Sequence, residues 1–478
     1  MTRLDRWIAP RVAANAVPGA QRSAFRLLPT GMDAFVARAV LIELAERTLD
    51  LQYYIFHPDN AGSLIVERLI AAADRGVRVR VLLDDWGTLD KSDESVAGLD
   101  AHPNIDVRLF NPYTHRSGFQ RFVELLTSFT RVNRRMHNKL FVADGIATIV
   151  GGRNIGEEYF SMGELDFQDV DVLGAGPIAA DSAASFEAYW NSPFAVPIAR
   201  LGKFAPDPAF FPTARARLRD RCEGLRASAY SQSLADSELA RDLRADDLHV
   251  HWATASVIAD PPEKLAQPVG IESDAYLGAR ISSYGQATRS DLLLVSPYFV
   301  PGTAGVEFLS DRRQEGVSVR VLTNSLAATD VWLVHAGYMK YRRPLLERGV
   351  RLFELRPEAV GATRARASKA TIGSSRASLH GKTFVFDRTS VFIGSVNIDP
   401  RSLQQNTEIG VLVQSPELAA EVAALFDRWA SPQASYEVTR GPNGGLHWTG
   451  GFTDEPRAGF WRALGAKLFS HLPIESLI

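Results

Sequence analysis

The residues best equipped for chemistry occur twice. His137 is followed by Lys139, Asp144, the pair Gly151 and Gly152, and Asn154; His380 is followed by Lys382, Asp387, Gly394 with Ser395, and Asn397, at the same intervals. On an extended strand, side chains two apart share a face, so each imidazole stands beside an ammonium. That pairing suits an anion: Lys offers a compact charge to non-bridging phosphate oxygens, and imidazole attacks phosphorus or passes a proton near neutral pH. Displacement at a phosphodiester needs both a nucleophile and an acid for the leaving oxygen, and two sets supply both. The plainer readings are a packed core histidine and a solvated lysine, which explain one set more easily than two. For Asp144 and Asp387 an ordinary strand-ending turn is an equal alternative, as is a tight turn for Gly151, Gly152 and Gly394.

The elements that must position these residues are also duplicated. LDLQYYIF (Leu49 to Phe56) and RGVRVRVLLDD (Arg75 to Asp85) correspond to DLLLVSPYFV (Asp291 to Val300) and EGVSVRVLTNS (Glu315 to Ser325). HNKLFVADGIATIVGGRN matches HGKTFVFDRTSVFIGSVN without a gap, and DVDVLGAGP matches EIGVLVQSP, aligning Asp169 with Glu408. Trp190 and Trp429 follow at one distance from the aligned prolines Pro177 and Pro416. Alternating apolar runs and amphipathic stretches such as SLIVERLIAAADRG predict an α/β fold: two similar lobes, each a mixed β-sheet flanked by helices, packed face to face around one active site. The expected organisation is an N-terminal segment 1–24, a first lobe 25–195, a Pro- and charge-rich connector 196–255, a second lobe 256–432, and a C-terminal tail 433–478.

Paired motifs inside such a repeat resemble the phospholipase D superfamily over about Phe25 to Trp429. The resemblance implies that one histidine forms a phosphohistidine while the other protonates the departing alcohol and then activates the incoming one. By that analogy His137 is the nucleophile and His380 the general acid and base, with the reverse assignment left open by the symmetry of the repeat. Lys139, Lys382, Asn154 and Asn397 would hold phosphoryl oxygens, Asp169 and Glu408 would orient the imidazoles, and Asp144 and Asp387 complete the motif in a supporting role. No metal or other cofactor is expected: the histidines lack the spacing of a helical zinc site, and two lysines neutralise the charge a divalent ion would.

The segments LQYYIFHPDNAG, RGVRVRVLLDDWGT, NRRMHNKLFVADG, GGRNIGEEYF, TNSLAATDVWLVHAGYMKYRRPLLERGV and FWRALGAKLFSHLPIE are similar to bacterial cardiolipin synthases of the branch without N-terminal membrane spans. That likeness implies transfer of a phosphatidyl group to the terminal hydroxyl of phosphatidylglycerol, with phosphatidylethanolamine as donor in some members. Hydrolysis to phosphatidic acid uses the same residues and stays open, as does a nuclease of the same superfamily. A catalytically silent lipid-binding scaffold sits poorly with two intact motifs. His335 and Tyr338 are candidates to line the acceptor or headgroup pocket, with ordinary packing an equal reading.

Composition narrows the setting. The formal net charge is −2 over 478 residues, so no general basic coat for nucleic acid exists and none is expected as partner. Basic character is local, at Arg131, Arg134 and Arg135 before the first motif and at Arg364, Arg366, Lys369 and Arg376 before the second. The single cysteine, Cys222, excludes an internal disulfide and reads as a spectator. The N-terminus lacks a secretory core, and no run approaches the roughly 20 apolar residues of a bilayer span. In the C-terminal tail, helical spacing aligns Trp461, Leu464, Leu468 and Leu472, with Phe460 and Phe469 adjacent and Arg457, Arg462 and Lys467 around them. Such a stripe is expected to lie in a membrane interface, with docking on the protein's own core as the alternative. The expected location is cytoplasmic, peripherally on the inner membrane.

Overall fold

A computed structural model describes residues 1–15, 17–87, 99–114, 131, 133–163, 165–201, 210–245, 247–271, 273–358, 376–441 and 443–472. The first lobe contains β1 (Ser23–Leu28), β2 (Thr48–Ile55), β3 (Arg78–Gly87), β4 (Ile105–Phe110), β5 (Leu140–Ala143), β6 (Ala147–Gly151), β7 (Leu165–Gln168), β8 (Asp171–Ala175) and β9 (Ala195–Pro197). The second contains β10 (His251–Ala259), β11 (Asp291–Val295), β12 (Ser318–Asn324), β13 (Arg351–Leu355), β14 (Arg376–Leu379), β15 (Thr383–Phe386), β16 (Ser390–Gly394), β17 (Ile409–Gln414), β18 (Ser435–Arg440) and β19 (Leu446–Trp448).

Strand pairing repeats the duplication. In lobe 1 the order is β9-β4-β3-β2-β5-β6-β8-β1, with β2, β3 and β4 parallel and the rest antiparallel. In lobe 2 it is β19-β18-β13-β12-β11-β15-β16-β17-β10, again with three parallel strands, β11, β12 and β13. β1 and β10 occupy equivalent edges and pair with each other antiparallel, Ser23 opposite Ala253 and Phe25 opposite His251. The two expected sheets are therefore one continuous 17-stranded sheet. This join was not read from the sequence, which placed the first half of β10 in the connector and the start of β1 in the N-terminal segment. The lobes nevertheless pack on each other: Leu82, Met136, Leu140 and Trp190 share one apolar cluster with Leu322, Leu379, Ile393 and Trp429.

Local chemistry explains the matching crossovers. The helix Asn60–Asp74 starts where Asp59 accepts from Gly62 N, and it ends where Gly76 adopts φ 94°, letting Val77 N reach Ala72 O. Gly316 (φ 89°) and the Val317 N to Arg312 O bond close the equivalent helix Gly302–Gln314 in the same way. A Cβ at either glycine would disfavour that left-handed turn. Between the lobes, helices Phe210–Arg226, Ala229–Ala235 and Glu238–Ala245 lie on lobe 1, tied by Arg215–Asp74, Arg226–Glu67 and Arg26–Asp242 pairs. Cys222 is buried there, its thiol pushed up to about 11 by burial.

Candidate active site

The two motif histidines meet at the lobe interface, and each is held by the opposite lobe. Nδ1 of His137 lies 2.9 Å from Oε2 of Glu408, and Nδ1 of His380 lies 2.6 Å from Oδ2 of Asp169. The backbone repeats the exchange. His137 N donates to Thr407 O at 2.9 Å and Thr407 N donates to Arg135 O at 3.0 Å, while His380 N and Gly381 N both donate to Gln168 O at 2.9 Å. Strands β7 and β14 pair parallel across the interface, placing Leu379 beside Gln168. A β-bridge between Met136 and Thr407 does the same for the other histidine. The carboxylates are fully buried while the imidazoles keep 13% and 11% exposure, so the rings alone remain reachable from solvent.

Further positioning comes from the ends of the parallel strands. Asp84, toward the end of β3, accepts from Met136 N at 2.9 Å; its counterpart Asn324, closing β12, accepts from Leu379 N at 2.8 Å and donates to Leu379 O at 2.9 Å. Each therefore fixes the residue immediately before a histidine. Tyr54 packs edge-on to His137 at 5.0 Å, and Tyr159 and Phe167 hold His380 at 5.2 and 5.0 Å. Sequence reasoning missed these residues. The signal was present for Asp84 and Asn324, which end equivalent apolar runs with a polar side chain.

Lys139 and Lys382 are buried, each donating to the carbonyl of its own histidine. Burial pushes Lys139 down to about 7 and Lys382 down to about 8 against the pull of Glu408 and Asp169. Both histidines are lowered by burial and the nearby lysines, His137 well below its ordinary value; for His380 the Asp169 carboxylate partly offsets the shift. The carboxylates diverge. Burial raises Glu408 to about 7 despite Lys139 and the Ser395 hydroxyl, whereas for Asp169 burial is outweighed by His380, Lys382 and Arg153, which hold it below the usual range. Among the described residues no group of three or more His, Cys, Asp or Glu is placed to bind a metal; Lys139 and Lys382 bring positive charge to the site, with Arg401 acting on His137 and Arg153 on Asp169.

The remaining expected residues have distinct surroundings. Asn154 accepts from Ile55 N at 3.1 Å and donates to the Tyr159 hydroxyl at 2.9 Å, leaving one N–H of its amide. Asn397 donates to Ser402 Oγ at 3.5 Å, and its Oδ1 has no partner. Asp144 lies at the far end of β5 from His137, where its carboxylate accepts from Glu46, Arg47 and Thr48 N. Asp387 does the same for Arg289, Ser290 and Asp291 N. Both are turn anchors that brace the hairpin carrying the motif. Gly152 is required by contact: a Cβ there would collide with the Asp169 carboxylate.

The basic character expected at Arg134 and Arg135 is corrected, and the open reading of His335 and Tyr338 is decided for packing. Arg134 is buried and donates to Leu265 O at 2.7 Å and to Gln267 O. Arg135 is buried between Trp86 and Tyr113 with Asp84 at 3.5 Å, so neither forms a basic surface loop. His335 and Tyr338 line no open pocket: they are buried in a network in which Arg342 joins Glu354 at 2.7 Å, Glu455 and the His335 ring. A run of charge in the sequence does not reveal which members are desolvated against an internal partner. Arg364, Arg366, Lys369 and the side chain of Arg376 lie outside the described residues.

Comparison with known proteins agrees with this geometry. A family described as "Cardiolipin synthase, PLD-like domain" matches residues 39–190 and 283–430, one match per lobe. Cardiolipin synthase C of Escherichia coli K12 is 38% identical over 471 residues, covering 94% of this chain and 95% of that protein. Cardiolipin synthase B of the same organism is 27% identical over 392 residues, 81% and 76% of the two chains. The crystal structure of phosphatidylserine synthase from Haemophilus influenzae Rd KW20 superposes with a TM-score of 0.63 over 95% of this chain and 94% of that one, a likeness of fold at 14% identity. With two motif-bearing lobes converging on one pair of histidines, the chain belongs to the phospholipase D-like cardiolipin synthase family.

Proposed function

We propose that this protein is a phosphatidyltransferase that forms cardiolipin from phosphatidylglycerol and a second phospholipid, with His137 as nucleophile and His380 as general acid and base. The carrying observation is the unequal pair of carboxylates behind two symmetric histidines. A proton on Nδ1 of His137 facing Glu408 leaves the Nε2 lone pair to attack phosphorus. Asp169, held ionised, works against the lowering of His380 by burial and Lys382 and so favours the imidazolium required of an acid. As the Nε2–P bond of His137 forms, the P–O bond to the headgroup alcohol breaks and its oxygen takes the proton of His380. In the second half, neutral His380 removes the proton from an incoming hydroxyl, that oxygen attacks phosphorus, and the P–N bond breaks. Lys139 and Lys382, with the free N–H of Asn154, are placed for the non-bridging oxygens, whose charge grows in each transition state.

Access to lipid is assigned to the C-terminal helix Phe460–Phe469. Its inner side packs through Ala463, Ala466 and Phe469 against Leu326, Trp332 and Ala336. Its outer side leaves Phe460, Trp461 and Leu468 at 71%, 79% and 64% exposure, with Leu464 also exposed, as is Leu472 just beyond the helix end. Aromatic and leucine side chains so presented, with Arg457 and Lys467 alongside, suit the headgroup boundary of a bilayer. No described helix is long and apolar enough to cross a membrane.

The test is incubation of the purified protein, in chelator, with vesicles of labelled phosphatidylglycerol with and without phosphatidylethanolamine, read by lipid mass spectrometry against His137→Ala. Cardiolipin from the wild type alone is the expected result, and its dependence on phosphatidylethanolamine identifies the donor. Phosphatidic acid as sole product would replace transfer by hydrolysis.

A further inference from the structure

The two lobes differ at the rim of the site, and the difference concerns hydrogen-bond polarity. In lobe 1, Phe56 bridges to Ile155, and Ile55 N satisfies Asn154 Oδ1 at 3.1 Å. In lobe 2, Phe299 bridges to Ile398, so Tyr298 stands where Ile55 does and Asn397 where Asn154 does. Here Asn397 is only 3% exposed, yet its Oδ1 has no partner. The Tyr298 hydroxyl donates instead to Oδ2 of Asp330 at 2.8 Å, an exposed carboxylate on the loop before the helix Trp332–Glu347. Asp330 acts electrostatically on Lys382 and on Tyr159, the residue packed at 5.2 Å against His380.

A carboxylate and an orphan carbonyl oxygen are poor neighbours for phosphate, which itself offers only acceptors. They complement a group that brings donors. We propose that Tyr298, Asp330 and Asn397 form the subsite for the alcohol half of the phosphodiester, selecting a small alcohol that carries hydroxyl or ammonium donors. This rests on the phosphatidyltransferase reading and adds a direction to it: the alcohol leaves and enters along lobe 2, beside His380, while the phosphatidyl group stays on lobe 1 with His137. Asp330 is thus a specificity residue. A site in which a buried acceptor, Asn397 Oδ1, waits for a donor beside the Asp330 carboxylate discriminates against a headgroup without donors.

The experiment measures headgroup release in the first turnover from vesicles of phosphatidylethanolamine, phosphatidylglycerol or phosphatidylmethanol, whose alcohol has no donor beyond the reacting hydroxyl. The wild type is expected to favour the first two by about tenfold or more, the scale of a missing polar contact. Asp330→Ala is expected to erase most of that preference, lowering the two donor-rich substrates several times more than phosphatidylmethanol; Tyr298→Phe, which frees Asp330, acts in the same sense but less. A loss confined to phosphatidylethanolamine assigns the subsite to ammonium, and a shared loss assigns it to donors generally. Parallel loss on all three substrates, or no wild-type preference, overturns the subsite while leaving the transferase intact. Wild-type inactivity on all three overturns the transferase reading and the subsite with it.

Discussion

Behind His380 the carboxylate is Asp169, set against Gly152, whose missing side chain makes room for it. Behind His137 it is Glu408, one methylene longer, accepting from the hydroxyl of Ser395, the residue that replaces Gly152 in the repeat. The short acid meets His380, Lys382 and Arg153 and stays ionised, whereas burial dominates the long one and lifts it to about 7. Two copies of one supersecondary unit have thus kept their backbone and their histidines while diverging in the group that sets each histidine's proton. Duplication supplies the symmetry, and carboxylate length with its partner at the glycine position breaks it.

Removing the histidines tests the comparison most severely. His137→Ala and His380→Ala are each expected to lose about a thousandfold or more in turnover, since nucleophile and acid act as a unit. They should differ with a substrate whose leaving group needs no proton: His380→Ala then accumulates phosphohistidine detectable by intact-protein mass spectrometry, and His137→Ala does not. Accumulation in the His137 variant would reverse the assignment of roles.

The carboxylates come next. Asp169→Asn is expected to cost up to roughly ten-thousandfold in kcat, the scale of loss when an orienting acid loses its charge. Glu408→Gln should cost less at its own optimum and should change the pH profile. Turnover requires Glu408 ionised, gained as pH rises through about 7, and the lysines charged, lost as pH rises through about 7 for Lys139 and about 8 for Lys382. A narrow bell centred near 7 is therefore expected, its alkaline limb shared with His380, whose proton is required and which burial lowers, and Glu408→Gln removes its acid limb. An unchanged acid limb would transfer that titration to another group.

The smallest expected effect is on stability. Asp144→Ala leaves three backbone N–H groups without their acceptor and should cost about 2 kcal/mol in denaturant unfolding, with Asp387→Ala, at a more open turn, nearer 1 kcal/mol. Substantial folded protein with impaired turnover in both variants would point to an active-site role instead of anchorage.

Much of this was legible beforehand because the chemistry repeats in register: the two motifs, the α/β halves and the alignment of Asp169 with Glu408 all follow from the order of residue types. The exchange of carboxylates was not legible. An alignment places Asp169 with His137 and Glu408 with His380, and only packing about the pseudo-twofold shows that each serves the other half. The burial of Arg134 and Arg135 was hidden for a similar reason, since Asp84 and the carbonyls of Leu265 and Gln267 lie far along the chain. The C-terminal stripe was read correctly as a pattern, but the split into a docked alanine side and a bare aromatic side needed the position of the helix Trp332–Glu347.

The exchange also sets a timetable. His137 reaches its carboxylate 271 residues later in the chain, so the first lobe leaves the ribosome with a complete motif and no orienting partner. A half-made chain would carry His137 without the carboxylate that pairs with its Nδ1 and without the second histidine of the site. On the proposed mechanism, transfer therefore waits on the second lobe, which brings both Glu408 and His380 to the site.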